Sequence, residues 1–445
     1  MRQKLFGLLL LSITISLLFF QNCSSKGFNA FTSSESFSST GSGNDGNGNK
    51  DGGGGEEQTL TPTVGRAQGK LSEDCENESN YNACIFYKNP VVTKGSSVSG
   101  GVELDTKLDR LGIQKFAVVI DGMDDSGYLQ NSKFVIDPTL TLSSGDSNPS
   151  GLSRVRVNSE GKWFYPYEGA SGAGDSGKKV SQLMAYYWLN EFDRILKSQT
   201  GAELTQGVTY YVDTYNHADS SRARNNAFFS PGTDDDGSDA GIVVLGWADG
   251  AQVSGASYRH DMAMSAEVYA HEVCHGFFEY SANGAHRPPS GASDPNSNSS
   301  GSSCRNQNGC IRALNEGQAD FCINILFPDK LALGETWVNN SSGLNSRSME
   351  ANDNKSASSL FASTGGAIHN YGALYASMWH HVWKQAKQTG NEKDIETIYS
   401  KHLARLTYRD HFVTALAVIK NIASTNYSGK GYENLFQSEW DRRGL

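Results

Sequence analysis

The pattern of apolar and polar positions changes at about residue 265. Between 81 and 265, short apolar runs such as Phe116–Ile120 and Gly241–Leu245 alternate with turns rich in Gly, Asp and Ser, which is typical of β-strands. One helix is expected among these strands, at about 178–196, because its apolar residues recur at helical spacing.

From 266 onward the apolar residues recur mainly every three or four positions. This spacing predicts helices at 265–280, 313–327, 371–387, 393–406 and 409–424. The chain after residue 80 is long enough to bury one large core or two lobes that share a cleft. We therefore expect an α+β fold with a β-rich lobe at 81–265 and a mainly helical lobe at 266–445.

The first 80 residues have the organisation of an export signal followed by a tether. A basic start precedes the apolar run Leu5–Phe20, which is short for a membrane-spanning helix and typical of a signal peptide. Cys23 follows, and then a stretch rich in Ser, Gly and Asn, which cannot bury enough apolar surface to fold. This order predicts a signal peptide at 1–22 and a tether at 23–80, anchored through a lipid on Cys23 and disordered over residues 24–70.

A second interpretation of this region stays open. The residues before Cys23 are Phe20–Asn22, whereas small residues usually precede a lipid-modified cysteine. An ordinary signal peptidase would then release a secreted protein in which Cys23 has no special role. We expect a bacterial cell-envelope protein, lipid-anchored at the outer membrane or cell surface, or else secreted.

The net charge of the chain limits the classes of partner that it is expected to bind. Acidic residues outnumber basic ones by 48 to 38, which gives a formal net charge of −10. An acidic chain has no electrostatic attraction for a phosphate backbone, and no basic stripe is present. We therefore exclude nucleic acid as a partner and expect a monomer that meets the membrane only through its anchor.

The cysteine content suits an exported protein, in which disulfides persist. Apart from Cys23, six cysteines remain, and short spacing favours the pairs Cys75–Cys84 and Cys304–Cys310. Three alternatives stay open. Cys274 and Cys322 bridge two helices, or Cys274 is a buried free thiol, or an N-terminal cysteine is a temporary zinc ligand that blocks the metal site.

Two short segments carry the strongest chemical signal. His271, Glu272 and His275 form an H-E-x-x-H motif, and Glu316 follows in a second helical segment. Residues i and i+4 of a helix lie on one face, so both histidines can present a ring nitrogen to one metal ion. Catalytic zinc takes three protein ligands and leaves one position for water. We therefore expect Zn²⁺ bound by His271, His275 and Glu316, with Glu272 as the general base that activates the water.

The residues around Glu316 offer support to these ligands. Metal-bound histidines usually donate their second N–H group to an oxygen atom. Asn315 adjoins Glu316, and Asp320 lies one helical turn after it, so each histidine has a candidate partner. The metzincin pattern requires a glycine and a third histidine where this chain has Phe278 and Ser281, which excludes that class.

At these positions the chain resembles the thermolysin-like and fungalysin-like zinc metalloproteases, whose two motifs are H-E-x-x-H and N/G-E-x-x-S/A-D. Ala270–His275 and Leu314–Asp320 match the two motifs position by position. The resemblance spans roughly residues 81–440. It implies a two-lobed fold with the active-site cleft between a β-rich lobe and a helical lobe.

Three further segments are similar to the substrate site of that family. Asn226 and Ala227 lie in a segment similar to the edge strand that hydrogen-bonds the substrate backbone. Arg347 begins an R-S-M segment whose arginine holds a substrate carbonyl in the family. His369 follows a glycine pair in a segment similar to the loop that carries the oxyanion-stabilising histidine. The resemblance thus implies an endopeptidase in which His369 assists catalysis.

The chain also departs from the family. Its loop between the two motifs, which includes the Gly-, Ser- and Asn-rich stretch 281–303, is longer, and we expect it to be exposed near the cleft and to restrict substrate access. Tyr280 does not fit the register of the family's oxyanion tyrosine, and no aspartate precedes His369 as in thermolysin. Glu267 stands where thermolysin has a calcium-binding aspartate. The second carboxylate of that calcium site is replaced here by Phe327, so a Ca²⁺ site is possible but the sequence does not support it.

Two other functions remain as alternatives to a zinc endopeptidase. One is a zinc hydrolase with a non-protein substrate, such as a cell-wall amide. The other is a catalytically inactive surface-binding lipoprotein. The absence of a G-x-M-E-N motif argues against an aminopeptidase.

Overall fold

The structure is a computed structural model that describes the chain from residue 63, with gaps. The described residues are 63–64, 66–87, 115–138, 153–165, 175–204, 208–213, 227–231, 240–245, 247–253, 256–261, 263, 265–281, 293–299, 301–328, 332–333, 347–349 and 355–445. The predicted signal peptide and Cys23 lie outside them. None of the helices within the described residues is long and apolar enough to cross a bilayer.

The strands are short and form small sheets. They are β1 (Thr63–Val64), β2 (Ala67–Gln68), β3 (Lys70–Ser72), β4 (Ala83–Ile85), β5 (Lys115–Val118), β6 (Phe134–Ile136), β7 (Thr209–Asp213), β8 (Ala227–Pro231), β9 (Ala240–Leu245), β10 (Trp247–Val253), β11 (Ala256–Asp261), β12 (Ala332–Leu333) and β13 (Arg347–Ser348). The strands β3, β5 and β4 form an antiparallel sheet in that order, and β1–β2, β10–β11 and β12–β13 are antiparallel pairs.

The sheet nearest the candidate site has the strand order β6-β7-β9-β8. The strands β6, β7 and β9 are parallel, whereas β8 runs antiparallel to β9, with Phe229 opposite Val243. Tyr210 of β7 and both of these residues are buried. Strand β8 is the outermost described strand on its side, so its second edge has no described partner strand.

The helices account for most of the described C-terminal half. They are α1 (Asp175–Thr200), α2 (Ala266–Ser281), α3 (Ile311–Leu326), α4 (Ala357–Thr364), α5 (Ile368–Lys387), α6 (Glu392–Leu403), α7 (Phe412–Asn426) and α8 (Tyr432–Arg443). The helices predicted at 265–280 and 313–327 correspond to α2 and α3 within two residues at each end, and the other predictions correspond to α1, α5, α6 and α7.

Helices α4 and α8 were not predicted from the pattern. Helix α4 has only eight residues, and its ends are set by a Ser356–Ser359 capping box and by Gly365 in the left-handed region (φ 62°). In α8 only Tyr432, Phe436 and Trp440 are buried apolar residues. Both helices therefore depend on capping or packing rather than on a long apolar repeat.

Helix α1 connects the N-terminal strands with the helical half. Residues 180–189 of α1 are buried without interruption, because other elements pack on several of its sides. Trp188 stacks on Phe116 of β5 with ring centroids 5.9 Å apart and contacts Phe327 after α3 at 5.2 Å. One continuous core of buried residues includes members of both halves; the two-lobed arrangement and its cleft remain predictions.

The folded part of the chain begins before the predicted boundary at residue 81. Arg66 donates to the Ile325 carbonyl and to the Glu396 carboxylate, each at 2.8 Å, and Ala67 is buried. Strand β3 pairs with β5. The tether was predicted to extend to residue 80, with disorder as far as residue 70. This prediction is therefore wrong for 66–80, whose order comes from distant partners and not from local apolar content.

Three disulfides link the six described cysteines: Cys75–Cys84, Cys274–Cys322 and Cys304–Cys310. The two short-range predictions are confirmed. The bridge between Cys274 and Cys322 resolves the open alternative, since it joins α2 to α3 and leaves no thiol at Cys274.

We expect the Cys274–Cys322 disulfide to contribute most to stability, because it closes the longest loop. Its partners are 48 residues apart, against 6 for Cys304–Cys310. By loop entropy, replacing both cysteines with alanine should cost about 4 kcal/mol for the long loop and about 2 kcal/mol for the short loop. Urea unfolding of the two double variants measures this difference, and equal losses would contradict the expectation.

A buried histidine should make the protein sensitive to acid. His402 accepts from the Tyr375 hydroxyl at Nε2 (3.1 Å) and donates from Nδ1 to the Tyr399 carbonyl, and burial lowers the pKa of His402 from 6.5 to about 3. The unfolded chain therefore binds this proton first as the pH falls. Stability should decrease by about 1.4 kcal/mol per pH unit below about 6.5 and level off near 3.

The His402→Gln variant isolates this effect, because the other titrating groups are common to both proteins. Between pH 6.5 and 4.5 its free energy of unfolding should fall by roughly 2–3 kcal/mol less than that of the wild type. His381→Gln, at a residue with a 27% exposed side chain, is the matched control. Parallel pH profiles for His402→Gln and the wild type would rule out the acid effect.

Candidate metal centre

Helix α2 lies directly on the β6-β7-β9-β8 sheet at Gly276, the residue after His275. A Cβ atom on Gly276 would lie 2.5 Å from Cε1 of Tyr210 and 2.9 Å from Cε2 of Phe229. Real Cβ atoms do not approach this closely, so the contact depends on glycine. The close approach packs the segment of α2 next to His275 against residues of β7 and β8.

Helix α3 is joined to α2 by a bond and by buried polar contacts. The Cys274–Cys322 disulfide connects the two helices, and Gln318 Nε2 donates to the Cys274 carbonyl at 3.0 Å. These contacts position Glu316 beside His271.

Helix α5 approaches α3 through backbone contact. A Cβ on Gly317 would lie 2.4 Å from the Gly372 carbonyl oxygen, and a Cβ on Gly372 would lie 2.7 Å from Cβ of Glu316. His369 precedes Gly372 by one helical turn, so the glycine pair brings it beside Glu316. The Glu316 Oε1 to His369 Nε2 distance is 3.5 Å.

The three predicted ligands form one cluster. His271 Nε2 lies 3.0 Å from His275 Nε2 and 3.6 Å from Glu316 Oε2. Each of the three residues offers one ligand atom, and these atoms all lie within 4.8 Å of one another. Two atoms bound about 2.05 Å from one tetrahedral ion lie roughly 3.3 Å apart. The two separations from His271 Nε2 are close to this value, so the three residues could hold one metal ion.

The second nitrogen of each histidine faces an oxygen atom. His271 Nδ1 lies 3.1 Å from Asp320 Oδ1, and His275 Nδ1 lies 3.0 Å from Asn315 Oδ1. Oxygen acceptors at both Nδ1 atoms favour the tautomers with Nδ1 protonated. The two Nε2 lone pairs then face each other at 3.0 Å, and a bound cation would relieve their repulsion.

The two candidate catalytic groups differ in exposure. Glu272 follows His271 on α2 and is 2% exposed, whereas His369 in the first turn of α5 has a 25% exposed side chain. Tyr280 packs edge-on against Tyr210 and Phe229, so it belongs to the contact between α2 and the sheet.

The structure places the predicted substrate residues only in part. Ala227 is buried at the start of β8, while Asn226 lies outside the described residues. Arg347 lies in β13, opposite Leu333 of β12, and its side chain is not described.

Other candidates from the sequence have structural contacts. Glu267 is buried in the first turn of α2, and Phe327 packs against Trp188, so the calcium site gains no second carboxylate there. Two further histidines lie on α5: His380 Nδ1 is 3.1 Å from Asn324 Oδ1, and His381 is partly exposed.

The loop that was expected to be exposed is partly buried where it is described. Asp294 and Ser297 are buried, and a Cβ on Gly301 would overlap the Arg312 guanidinium. Cys304 N–H donates to the Gly366 carbonyl at 2.7 Å. The loop therefore packs on α3 and on the segment before His369.

Gln318 is the residue at this centre that the sequence analysis missed. It is fully buried and donates to Asn315 Oδ1 at 3.1 Å. Its position is one of the two that the N/G-E-x-x-S/A-D motif leaves open. The sequence did contain a signal for Gln318, because it is a polar residue on the face of the helix that the apolar pattern predicts to be buried.

Comparison with known proteins does not assign the chain to a family. No protein-family model matches the chain, and no curated protein sequence matches it significantly. The residues themselves must therefore support any function.

The glycine contact between α3 and α5 gives a direct test of the geometry. Gly317→Ala should destabilise the protein by about 2 kcal/mol, because overlap with backbone atoms outweighs the higher helix propensity of alanine. Gly372→Ala should act in the same direction. Ser424→Ala, at an exposed position of α7, is the control for helix substitution. Thermal unfolding measures the effect, and a Gly317→Ala protein as stable as this control would contradict the close approach.

Proposed function

We propose that this chain is a zinc-dependent endopeptidase that hydrolyses peptide bonds of proteins outside the cytoplasm. The observation that supports it most is the arrangement of His271 and His275. Each has Nδ1 facing an oxygen atom, their Nε2 atoms lie 3.0 Å apart, and Glu316 Oε2 lies 3.6 Å from His271 Nε2. This is the donor set of a catalytic zinc site.

The chemistry follows from the residues around this cluster. A bound zinc ion would polarise the scissile carbonyl and lower the pKa of a water molecule. Glu272 would accept a proton from the attacking water and later deliver it to the leaving amine. His369, whose Nε2 lies 3.5 Å from Glu316 Oε1, would donate to the developing oxyanion.

The proposed substrate is a polypeptide because strand β8, whose Phe229 packs on Gly276 next to His275, has an edge without a described partner strand. Strand β8 begins at Ala227 and is the outermost described strand of its sheet, and an extended peptide can pair with such an edge. Asn226 and Ala227 would align the substrate backbone, and Arg347 would hold a substrate carbonyl. A lipid on Cys23 would keep the enzyme at the cell envelope.

The first test is casein hydrolysis by the purified chain, with wild type and Glu272→Gln measured in parallel and bound zinc quantified in both. We expect equal zinc, and at least about a 100-fold lower rate in Glu272→Gln because the proton acceptor is lost. His271→Ala is the matched control for metal loss and should lack both zinc and activity.

Each other result has a distinct meaning. Zinc in both proteins without casein cleavage, but with release of amines from purified cell wall, would indicate a non-protein substrate. Zinc without hydrolysis of either material would favour the inactive surface-binding lipoprotein. A wild-type protein without zinc would contradict the proposal.

A further inference from the structure

Gln318 has a buried side-chain amide that the metal-ligand motifs do not explain. It lies on α3 two residues after Glu316 and is fully buried. Burying an amide costs free energy unless its polar atoms are bonded. Its bonding partners therefore indicate what it does.

The partners of Gln318 fix the direction of its amide. Nε2 lies 3.0 Å from the Cys274 carbonyl oxygen and 3.1 Å from Asn315 Oδ1, and Oε1 lies 2.7 Å from the Tyr399 hydroxyl. A backbone carbonyl only accepts, so the amide nitrogen faces Cys274. The Tyr399 hydroxyl is a donor here, since Oε1 and the backbone carbonyl oxygen of Gln318 both accept from it at 2.7 Å. Burial raises the pKa of this phenol well above its ordinary value, so the hydroxyl keeps its proton.

The direction of Gln318 decides the direction of Asn315. The second N–H of Gln318 points at Asn315 and needs an acceptor, so Asn315 must present Oδ1. The same oxygen lies 3.0 Å from His275 Nδ1, which therefore carries the proton. With the Asn315 amide reversed, two N–H groups would face each other, and His275 would be pushed towards the tautomer with its proton on Nε2.

We propose that Gln318, held by Tyr399, is a positioning residue that selects the metal-binding tautomer of His275 through Asn315. The chain Tyr399–Gln318–Asn315–His275 runs from α6 through α3 to α2. It leaves the His275 Nε2 lone pair directed at His271 and Glu316. The inference rests on the proposed metal site, because its consequence is tighter metal binding.

The test combines a change at Gln318 with a change at Asn315. Gln318→Leu keeps the approximate size but removes the polar contacts, so Asn315 can reverse. Asn315→Asp presents an acceptor oxygen in either orientation and needs no such support. Affinity for Zn²⁺ alone, measured against a chelator of known affinity, should fall about 10- to 100-fold for Gln318→Leu in the Asn315 protein. In the Asn315→Asp protein it should fall by no more than about threefold.

These outcomes separate positioning from general structural damage. An equal loss in both backgrounds would mean that Gln318 only supports packing, and no loss in either would overturn the inference. Tyr399→Phe is a second variant that retains Gln318 and should weaken Zn²⁺ binding several-fold. Thermal unfolding shows whether each variant is folded. If Gln318→Leu does not fold, the same comparison between the Asn315 and Asn315→Asp proteins is made with Tyr399→Phe.

A metal-free measurement distinguishes failure of this inference from failure of the proposed function. Imidazole ¹⁵N chemical shifts, with His275 assigned from the His275→Gln variant, report which ring nitrogen carries the proton. We expect Nδ1–H in the wild type and a mixture of tautomers in Gln318→Leu. If the wild type binds no zinc, the function fails while this readout still decides the role of Gln318. An unchanged tautomer in Gln318→Leu would overturn that role.

Discussion

The candidate centre depends on how closely three helices approach one another. Gly276 allows α2 to lie on the sheet, and Gly317 and Gly372 allow α3 and α5 to touch along their backbones. Side chains of ordinary size would hold these elements apart. His271, Glu316 and His369 come together because glycines lie close to the candidate site residues in the sequence.

Because of this close packing, the buried polar groups at the centre all need hydrogen-bond partners. His271, Gln318 and Asp320 are each at most 1% exposed, where a polar group without a partner costs free energy. Gln318 connects Tyr399 to Asn315, and Asn315 in turn contacts His275. Because each group needs the next in one orientation, the network restricts the histidine tautomers as well as their positions.

Much of the local structure was predictable from the sequence. Apolar residues at helical spacing predicted α2 and α3 to within two residues, since a long buried face is a strong local signal. The H-E-x-x-H spacing and the Asn315–Asp320 segment predicted which side chains would come together. Helix α8 and residues 66–80 were not predicted, because distant partners such as Glu396 for Arg66 order them.

The sequence by itself determined which residues are candidates for the chemistry, because helical periodicity places His271 beside His275 and Glu316 beside Asp320. It left open whether Cys274 pairs with Cys322, where the glycines make contact, and what Gln318 bonds. Those features join residues far apart in the chain, such as Gln318 and Tyr399. Tertiary structure alone decided them, because only the packing of α2, α3, α5 and α6 brings the partners within bonding distance.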